Sequence, residues 1–377
     1  MPGLASGRMS KLSRTIARTR AWLQRRRRTE PPNAIASARP PWPDLPCAAN
    51  IISADPLIVF TLTGQDLPLG LGTIFADRYG DYPATFFITP AYTIEEDSIT
   101  RHTHELAERH RARNRHQSFI FCCNSVGEVE LLGRFGEAVH LINQSIVVSD
   151  RTFHPIGGAK VEFDAICNAS LWPLKRHELA AEIPKVAYVT YYFEGIGTKA
   201  EVQPRLNTLR YPPPGHQLIN PISDDLPVML PPAAVNEAYS RATVGLCLSP
   251  YEGAMQASLE YLLAGLPVVS TPCRGGRETF YRPEYCIIAE ANPRSVREAV
   301  DELQRRAIPR EYVRTRTLEL VDAQRRELLA LFDAILVENR AKVRFGKTWR
   351  FYDDRQLGGW RSLSAIAHEL DALIDRP

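Results

Sequence analysis

Short apolar runs alternate with charged, helix-like segments along most of the chain from about residue 50 onward. Runs such as LIVFTL, ATFFIT and SFIFCC have the length and the β-branched and aromatic content that are typical of buried strands. Strands that alternate with helices predict parallel sheets covered on both faces. The first series has predicted strands at Leu57–Leu62, Ala84–Thr89, Ser118–Cys123 and Val139–Asn143, and predicted helices at Glu95–Arg115 and Val126–Ala138.

A second α/β series follows Thr152–Val161, which we interpret as an interdomain link. A chain of 377 residues with two such series predicts two domains, at 51–160 and 161–345, followed by a C-terminal extension at 346–377. The predicted strands of the second series are Phe163–Ala169, Lys185–Phe193, Gln217–Asn220, Val244–Ser249, Pro267–Thr271 and Tyr285–Ala289. Its predicted helices are Pro232–Ala242, Ala254–Ala264, Ser295–Arg306 and Glu311–Leu336.

Residues 1–50 form a basic, proline-rich tail and linker. Nine of the 46 Lys and Arg residues lie in residues 1–28, which hold no acidic residue, so the remaining chain is mildly acidic. This distribution disfavours a nucleic-acid-binding body. Residues 1–28 fit three interpretations: an amphipathic helix on an anionic membrane surface, a solvated tail, or an organellar transit peptide. The six prolines of residues 31–46 predict an extended linker.

The overall composition is that of a soluble globular protein, with 44% hydrophobic and 24% charged residues. No apolar run approaches the ~18 residues of a membrane-spanning helix. The seven cysteines include no CxxC pair and lie mostly in strand-like stretches. They predict buried thiols in a reducing compartment, and therefore a cytoplasmic protein, with membrane association through the tail as the alternative.

Candidate chemistry lies in Val244–Glu278. A predicted strand ends at Ser249, a short loop carries Glu252, and the following helix ends at Gly265, a typical residue at this position. Ligands of open α/β sheets bind at the carboxyl ends of strands. The helix is apolar almost all round and should be buried, so Glu260 within it needs a polar partner and should lean toward the loop of Glu252.

The free N–H groups and the dipole at the start of this helix would add an anion site between the two carboxylates. Phosphates would bind the amides, and sugar hydroxyls would bind the carboxylates. The amide-bearing residues are Gly253, Ala254, Met255 and Gln256.

Glu252-x7-Glu260, the AGLPVV run at 264–269 and Gly275-Gly276 resemble the signature of retaining GT-B glycosyltransferases, the group 1 or GT4-like family. The resemblance implies two Rossmann-like domains facing a cleft, with residues 346–377 packing back on the first. It implies that Glu260 holds the ribose of a nucleotide-sugar donor and that Glu252 contacts the transferred sugar. The residues expected to approach the sugar and diphosphate are Gly253, Ala254, Met255, Gln256, Gly275 and Gly276.

A second segment, Cys167–Glu178, resembles the first strand and loop of the family's donor domain, where an arginine and a lysine five residues later bind phosphate. Lys175 matches the lysine, whereas Ser170 stands at the arginine position, and Arg176 is a candidate to compensate. The sequence contains no Asp-x-Asp. This fits a metal-independent enzyme with no metal site and no cofactor besides the nucleotide-sugar substrate.

The resemblance thus implies transfer of a sugar to a glycan, lipid-linked or other acceptor with retention of configuration, as in polysaccharide biosynthesis. The amides and Lys175 would stabilise the leaving diphosphate, and Glu252 would orient the sugar. Three alternatives stay open: a degenerate GT-B protein that binds without transfer, an epimerase of GT-B architecture, and a peripheral membrane protein acting through residues 1–28. Ser170 and the short first domain motivate the first.

Other polar residues carry less information. Four histidines lie on or beside the charged helix of the first domain, and we expect them to be solvated rather than metal ligands or catalysts. We interpret Gly70-Leu71-Gly72 as a loop and expect Asn124-Ser125 to be presented at the end of its strand. Arg277 and Glu278 either contact the sugar or begin the next element. The histidines are His102, His104, His110 and His116.

Overall fold

The computed structural model describes residues 46–193, 197–352, 357 and 361–374. The chain forms two compact units, the first from Met1–Val147 and Ala323–Pro377 and the second from Val148–Asp322. The predicted membrane-binding segment 1–28 lies outside the described residues. The predicted tail ends earlier than residue 50, because a strand begins at Pro46 and its Ala48 and Ala49 are buried against the next strand.

The first unit is built around a six-stranded sheet. Its elements up to residue 147 are β1 (Pro46–Ala54), β2 (Leu57–Thr63), α1 (Leu71–Tyr79), β3 (Ala84–Pro90), α2 (Asp97–Arg113), β4 (Gln117–Cys123), α3 (Val126–Gly133) and β5 (Val139–Leu141). Strands β2 to β5 are parallel, as the alternating pattern predicts, and β1 adds an antiparallel strand beside β2. Every residue of β2, β3 and β4 is buried, which is expected of central strands covered on both faces.

The second unit contains a six-stranded sheet in which all strands are parallel. Its strands are β6 (Phe163–Asn168), β7 (Val186–Val189), β8 (His216–Leu218), β11 (Ala242–Cys247), β12 (Val268–Ser270) and β13 (Cys286–Ile288), in the order β13-β12-β11-β6-β7-β8, with a separate hairpin of β9 (Ile222–Ser223) and β10 (Leu226–Pro227). Its helices are α4 (Lys199–Arg210), α5 (Pro232–Ser240), α6 (Gln256–Leu263), α7 (Pro293–Arg306) and the first part of α8 (Arg310–Glu338). Strands β11 and β6 are neighbours at the centre of this sheet. The loops that follow them, which carry Glu252 and Lys175, therefore lie side by side.

The link at 152–161 belongs to the second unit, so the boundary lies at Val147/Val148 rather than at 160/161. The physical reason is local packing: Phe153 is buried with its ring 6.0 Å from that of Tyr239, and Arg314 Nη1 donates to the Phe153 carbonyl at 2.6 Å. These contacts place the link among the residues of the second sheet.

The chain returns to the first unit at Ala323, within α8, rather than at residue 346. The later part of α8 supplies Phe332, whose ring lies 4.7 Å from that of Phe87 on β3. After it, β14 (Arg361–Ser362) pairs antiparallel with β1, and α9 (Leu363–Ile374) buries Leu363, Ile366 and Leu370 in the core of the first unit. Among the described residues, no helix has both the length and the apolar character needed to cross a membrane.

Candidate functional site

Two loops of the second unit meet beyond the carboxyl ends of β11 and β12. Tyr251 and Arg274 form a parallel bridge, and the Glu252 N–H donates to the Arg274 carbonyl at 3.1 Å. The Gly276 N–H donates to the Gly253 carbonyl at 2.7 Å. These bonds fix the loop that carries Glu252 against the loop that carries Gly275, which has a positive φ of 116°.

Glu252 is paired with the predicted phosphate-binding lysine. Lys175 lies in a 3-10 helix, Pro173–Lys175, and its Nζ is 2.5 Å from Glu252 Oε1. Ser249 Oγ donates to the same oxygen. The other oxygen, Oε2, has no hydrogen-bond partner among the described residues. The structure therefore brings the two predicted catalytic residues together and leaves one carboxylate oxygen open.

Two arginines brace the ends of these strands. Arg277 is buried, and its Nη1 donates to the Ser249 carbonyl at 2.7 Å and to Ser249 Oγ at 3.2 Å. Arg176 donates through Nε to the Leu248 carbonyl at 2.5 Å and through Nη2 to Thr271 Oγ1 at 2.7 Å. Both guanidinium groups are thus bonded to the strand ends, where they position Ser249 and the Glu252 loop.

Glu260 lies on α6 and uses one carboxylate oxygen within the protein. Tyr239 OH donates to its Oε2 at 2.6 Å, and Asn168 Nδ2 reaches the same atom at 3.3 Å. Burial raises the pKa of Glu260 to about 7, and these two hydrogen bonds act in the opposite direction. Oε1 has no hydrogen-bond partner in the described part of the chain.

The helix is shorter and less buried than the sequence predicts. It runs from Gln256 to Leu263 instead of from Ala254, and Gln256 is exposed while Glu260 is half-buried. Met255 is its N-cap residue and makes no capping bond through its side chain, and the helix starts two residues later than predicted. The predicted terminator is confirmed: Gly265 has a φ of 78°, and its N–H donates to the Leu262 carbonyl.

Four consecutive backbone N–H groups precede or begin this helix. The N–H groups of residues 253–256 donate no hydrogen bond within the described residues. Gly253 and Met255 are buried, and Ala254 is half-buried. Buried N–H groups are nearly always paired, so this run has the character of an anion site.

Tyr191 is a site residue that the sequence analysis missed. Burial raises the pKa of its hydroxyl to about 12, and the carboxylates of Glu252 and Glu260 add to the same shift. The ring of Tyr191 is stacked with that of Phe193, 6.2 Å away. Tyr191 therefore interacts electrostatically with both carboxylates. Its signal in the sequence is its place two residues after the end of β7, the strand beside the central strand β6.

Ser170, at the position where the family has arginine, lies in the turn after β6 and is buried. It contributes no charge, and Arg176 is occupied by the contacts described above. The remaining predicted positions, Gly275 and Gly276, begin a 3-10 helix, Gly276–Phe280, in which Arg277 is buried. Arg277 is thus a structural brace that begins the next element.

The first unit uses its polar residues differently from the prediction. Asn124 is fully buried: its Nδ2 donates to the Pro90 carbonyl at 2.7 Å, and its Oδ1 accepts from the Gln144 N–H at 2.8 Å. Gly70 is followed directly by α1, so the predicted loop ends there and Leu71 and Gly72 are helical. Neither feature presents free side-chain groups to a ligand.

The prediction of solvated histidines is wrong for three of the four. His110 is buried and bonds Gln117 at 2.7 Å, His116 bonds Asp81 at 2.6 Å, and His104 bonds Glu137 at 2.8 Å. His104 and His110 lie on α2 and His116 follows it, and the partner of each comes from a segment outside the helix. His102 is exposed.

One group of side chains in the described chain has ligand atoms close enough for a metal ion: His104, Glu108 and Glu137, within 4.8 Å of one another. Arg111 Nη2 contacts both carboxylates, at 2.6 Å for Glu137. The guanidinium thus occupies the position that a cation would take.

Comparisons with known proteins identify the fold. No protein-family model matches the chain, and no curated protein matches it. Among solved structures, HepE from Anabaena in complex with UDP-glucose has a TM-score of 0.50 at 11% identity, covering 74% of this chain and 77% of HepE. Sucrose-phosphate synthase from Thermosynechococcus elongatus has a TM-score of 0.50 at 13% identity, covering 71% of this chain and 75% of the synthase.

TarM from S. aureus has a TM-score of 0.47 at 14% identity, and the match covers 70% of this chain but only 54% of TarM. The matches to HepE and the synthase confirm the predicted α/β fold with parallel-sheet, Rossmann-like domains, as in GT-B glycosyltransferases.

Proposed function

We propose that this protein is a retaining, metal-independent glycosyltransferase of the GT4-like kind that takes its sugar from a nucleotide-diphosphate-sugar donor. The observation that carries the proposal is the pair Glu252 and Glu260, each with one oxygen bonded inside the protein and one open. Beside them lie Lys175 and the unpaired amides of residues 253–256. Open carboxylates suit sugar hydroxyls, whereas a lysine and amides suit a diphosphate.

Glu260 is the proposed ribose ligand. Tyr239 and Asn168 hold its Oε2, so the orientation of the carboxyl group is set before a ligand arrives. Oε1 is then available for a ribose hydroxyl. Since the pKa of Glu260 is raised to about 7, the group accepts a hydrogen bond in its ionised form and can donate one when protonated.

Lys175 and the amides are the proposed stabilisers of the leaving group. As the bond between the anomeric carbon and the phosphate oxygen breaks, negative charge grows on the diphosphate. Lys175 would exchange its bond to Glu252 for one to the phosphate, and the amides would donate to the same group. The acceptor oxygen then bonds to the anomeric carbon, and its proton passes to the leaving phosphate. Glu252, held by Ser249, would orient the sugar.

The acceptor proposed from the sequence is a glycan or lipid-linked sugar. Residues 1–28 would bring the cytoplasmic enzyme to an anionic membrane surface where such acceptors lie. A flotation assay with phosphatidylglycerol vesicles tests this part: the full chain should float with the vesicles, and a chain lacking residues 1–28 should not. Equal flotation of both would remove the tail from the proposal.

The test of transfer is turnover of a panel of nucleotide sugars, starting with UDP-glucose because HepE was solved with it. Wild type should release nucleoside diphosphate, and Glu252→Gln should lower kcat about 100-fold, the loss typical of a group that acts in the transition state. Glu284→Gln, at an exposed position, is the matched control and should leave kcat unchanged. Anomeric ¹H couplings of the product should show the donor's configuration.

A second candidate, a GT-B protein that binds a nucleotide without transfer, is favoured by one observation: Ser170 is buried and uncharged where a phosphate-binding arginine is expected. The same panel separates the two. Nucleotide binding with no turnover of any donor would establish the binding protein, and turnover lost in Glu252→Gln would establish the enzyme.

A further inference from the structure

The second unit contains a cavity of about 390 Å³ apart from the paired carboxylates. It lies between the 3-10 helix His177–Ala180, the later half of α4 and the start of β8. The strands contribute Tyr188, within β7, and His216, the first residue of β8, to the wall of the cavity. Glu252 and Glu260 follow the carboxyl end of β11. The lining of the cavity includes none of the residues of the proposed donor site.

His177 lines this cavity with unused hydrogen-bonding groups. His177 is 5% exposed, yet neither ring nitrogen makes a hydrogen bond of standard geometry in the described chain. Burial, then the charge of Arg205 and, more weakly, that of Lys175 lower the pKa of His177 to about 4, whereas a loose polar contact with the backbone of Ala169 opposes the shift. The ring is thus neutral near pH 7 and offers one donor and one acceptor. Buried polar atoms are rarely left unpaired, so this ring indicates a missing partner.

The second imidazole of the wall is already satisfied. His216 Nε2 contacts the Ile183 carbonyl at 2.7 Å, and its Nδ1 contacts Tyr188 OH at 3.1 Å. The open hydrogen-bonding capacity of the wall is therefore concentrated at His177 rather than spread over both rings.

Arg205 supplies the charge. This half-buried side chain donates through Nη1 to the Leu171 carbonyl and has no carboxylate partner among the described residues. Glu178 also borders the cavity, but it is exposed and its charge is screened by water. The part of the wall that Arg205 and His177 form therefore favours an anion, whereas Glu178 places its negative charge at an exposed position.

The remaining wall is mostly apolar and rich in rings, with Thr208 as its polar exception. It includes the ring of Tyr188, the side chain of Leu209, and the prolines Pro204, Pro212 and Pro213. Tyr188 and Leu209 are buried. Such a wall suits a planar body, and a volume of about 390 Å³ is within the range of small-molecule pockets.

We propose that this cavity is a second ligand site, which takes a small planar organic carboxylate. Arg205 and the His177 N–H would bind the carboxylate, and the flat body would lie between Tyr188, Leu209 and the prolines. The proposal does not depend on glycosyl transfer, because none of these residues belongs to the proposed donor site.

The test uses 4-fluorobenzoate as the probe, titrated into the full chain and followed by ligand-observed ¹⁹F NMR. Wild type should bind it, and Arg205→Gln and His177→Phe should each weaken binding about tenfold, the effect of losing one hydrogen bond to a charged group. The neutral analogue 4-fluorobenzamide should bind wild type about tenfold more weakly than the carboxylate. Arg297→Gln, an exposed arginine on α7 that pairs with Asp301, is the matched control and should bind like wild type.

Three results would overturn the proposal: no binding to wild type, equal binding to Arg205→Gln, or loss of binding in Glu260→Ala, which would place the probe in the donor site. Circular dichroism checks that each variant is folded. Arg205 is half-exposed, so Arg205→Gln is expected to fold. It therefore tests the proposal even if His177→Phe, a change at a buried position, prevents folding.

Discussion

Each unit carries glutamates beyond the strands of its sheet, but their carboxylate oxygens are bonded in different ways. In the first unit, Glu128 is fully buried and both oxygens are occupied: Oε1 accepts from the Ile94 N–H at 3.1 Å and Oε2 from the Asn124 N–H at 2.6 Å. In the second unit, Glu252 and Glu260 each have one open oxygen. A glutamate at a strand end therefore does not by itself identify a ligand site. A carboxylate oxygen without a hydrogen-bond partner inside the protein is the feature that does.

The neighbours of these glutamates differ in the same way. Ser125 caps α3 because its hydroxyl accepts a hydrogen bond from the Glu128 N–H at 3.1 Å. One of the N–H groups at the start of this helix is therefore already paired. Next to Glu252, the amides of residues 253–256 are unpaired and Met255 provides no side-chain cap. The first arrangement stabilises a turn, and the second leaves donors for an anion. The following predictions test this contrast, from the largest expected effect to the smallest.

Glu128 should make the free energy of unfolding depend on pH. Burial raises its pKa from 4.5 to about 7, so between these values the folded chain holds a proton that the unfolded chain has lost. The free energy of unfolding should therefore fall by about 3 kcal/mol as the pH rises through this window.

Urea unfolding of wild type and Glu128→Gln at several pH values measures this share, because the variant cannot titrate. The two stabilities should be similar at the acid end of the window, where Glu128 is protonated, and wild type should become the less stable protein as the pH rises, while the nucleotide affinity of the variant stays that of wild type. Parallel pH curves for the two proteins would show that Glu128 does not titrate in this window.

Lys175 should affect nucleotide binding, in contrast to Glu128, which should affect only stability. Lys175→Met removes the cation beside Glu252 and should weaken UDP binding about 30-fold, the loss of a charged hydrogen bond. Isothermal titration calorimetry measures this change. Lys185→Met, at an exposed position before β7, is the matched control. If Lys175→Met binds UDP as tightly as wild type, Lys175 is a structural partner of Glu252 and not a phosphate ligand.

Ser249 should have the smallest effect, since it acts through Glu252. Ser249→Ala removes the hydroxyl that donates to Glu252 Oε1 and should lower kcat about fivefold, with UDP affinity unchanged. Ser270→Ala is the matched control, because that buried hydroxyl bonds the Thr271 carbonyl. A loss of UDP affinity in Ser249→Ala, rather than of kcat, would show that the serine holds the phosphate site and not the sugar ligand.

Much of the fold follows from the sequence, because the central strands are continuous apolar runs. The predicted Leu57–Leu62, Ala84–Thr89 and Ser118–Cys123 each lie within one residue of the observed strands. Elements without such a signal were missed. Strand β1 is only weakly apolar, and α4 contains Pro204, which disfavours a helix interior and is tolerated here behind the capping box of Thr198 and Glu201.

The site residues that lie together in one segment of the sequence could be predicted. Those that come from distant segments could not. The spacing of Glu252 and Glu260 indicates a carboxylate pair by itself. Tyr239, Asn168 and Tyr191 come from three other elements, and no local pattern shows that they reach these carboxylates. The histidines on and beside α2 show the converse: the charged sequence around them predicts solvated side chains, and only the packed structure reveals that His104 bonds Glu137 and His116 bonds Asp81.

The most direct test of the central claim is calorimetric binding of UDP, ADP and GDP to wild type, Glu260→Ala and Glu128→Gln. The account predicts that one nucleotide binds wild type and Glu128→Gln equally, and that Glu260→Ala binds it at least about tenfold more weakly. If Glu260→Ala binds that nucleotide as tightly as wild type, or if no nucleotide binds wild type, the open carboxylate of the second unit is not a nucleotide ligand.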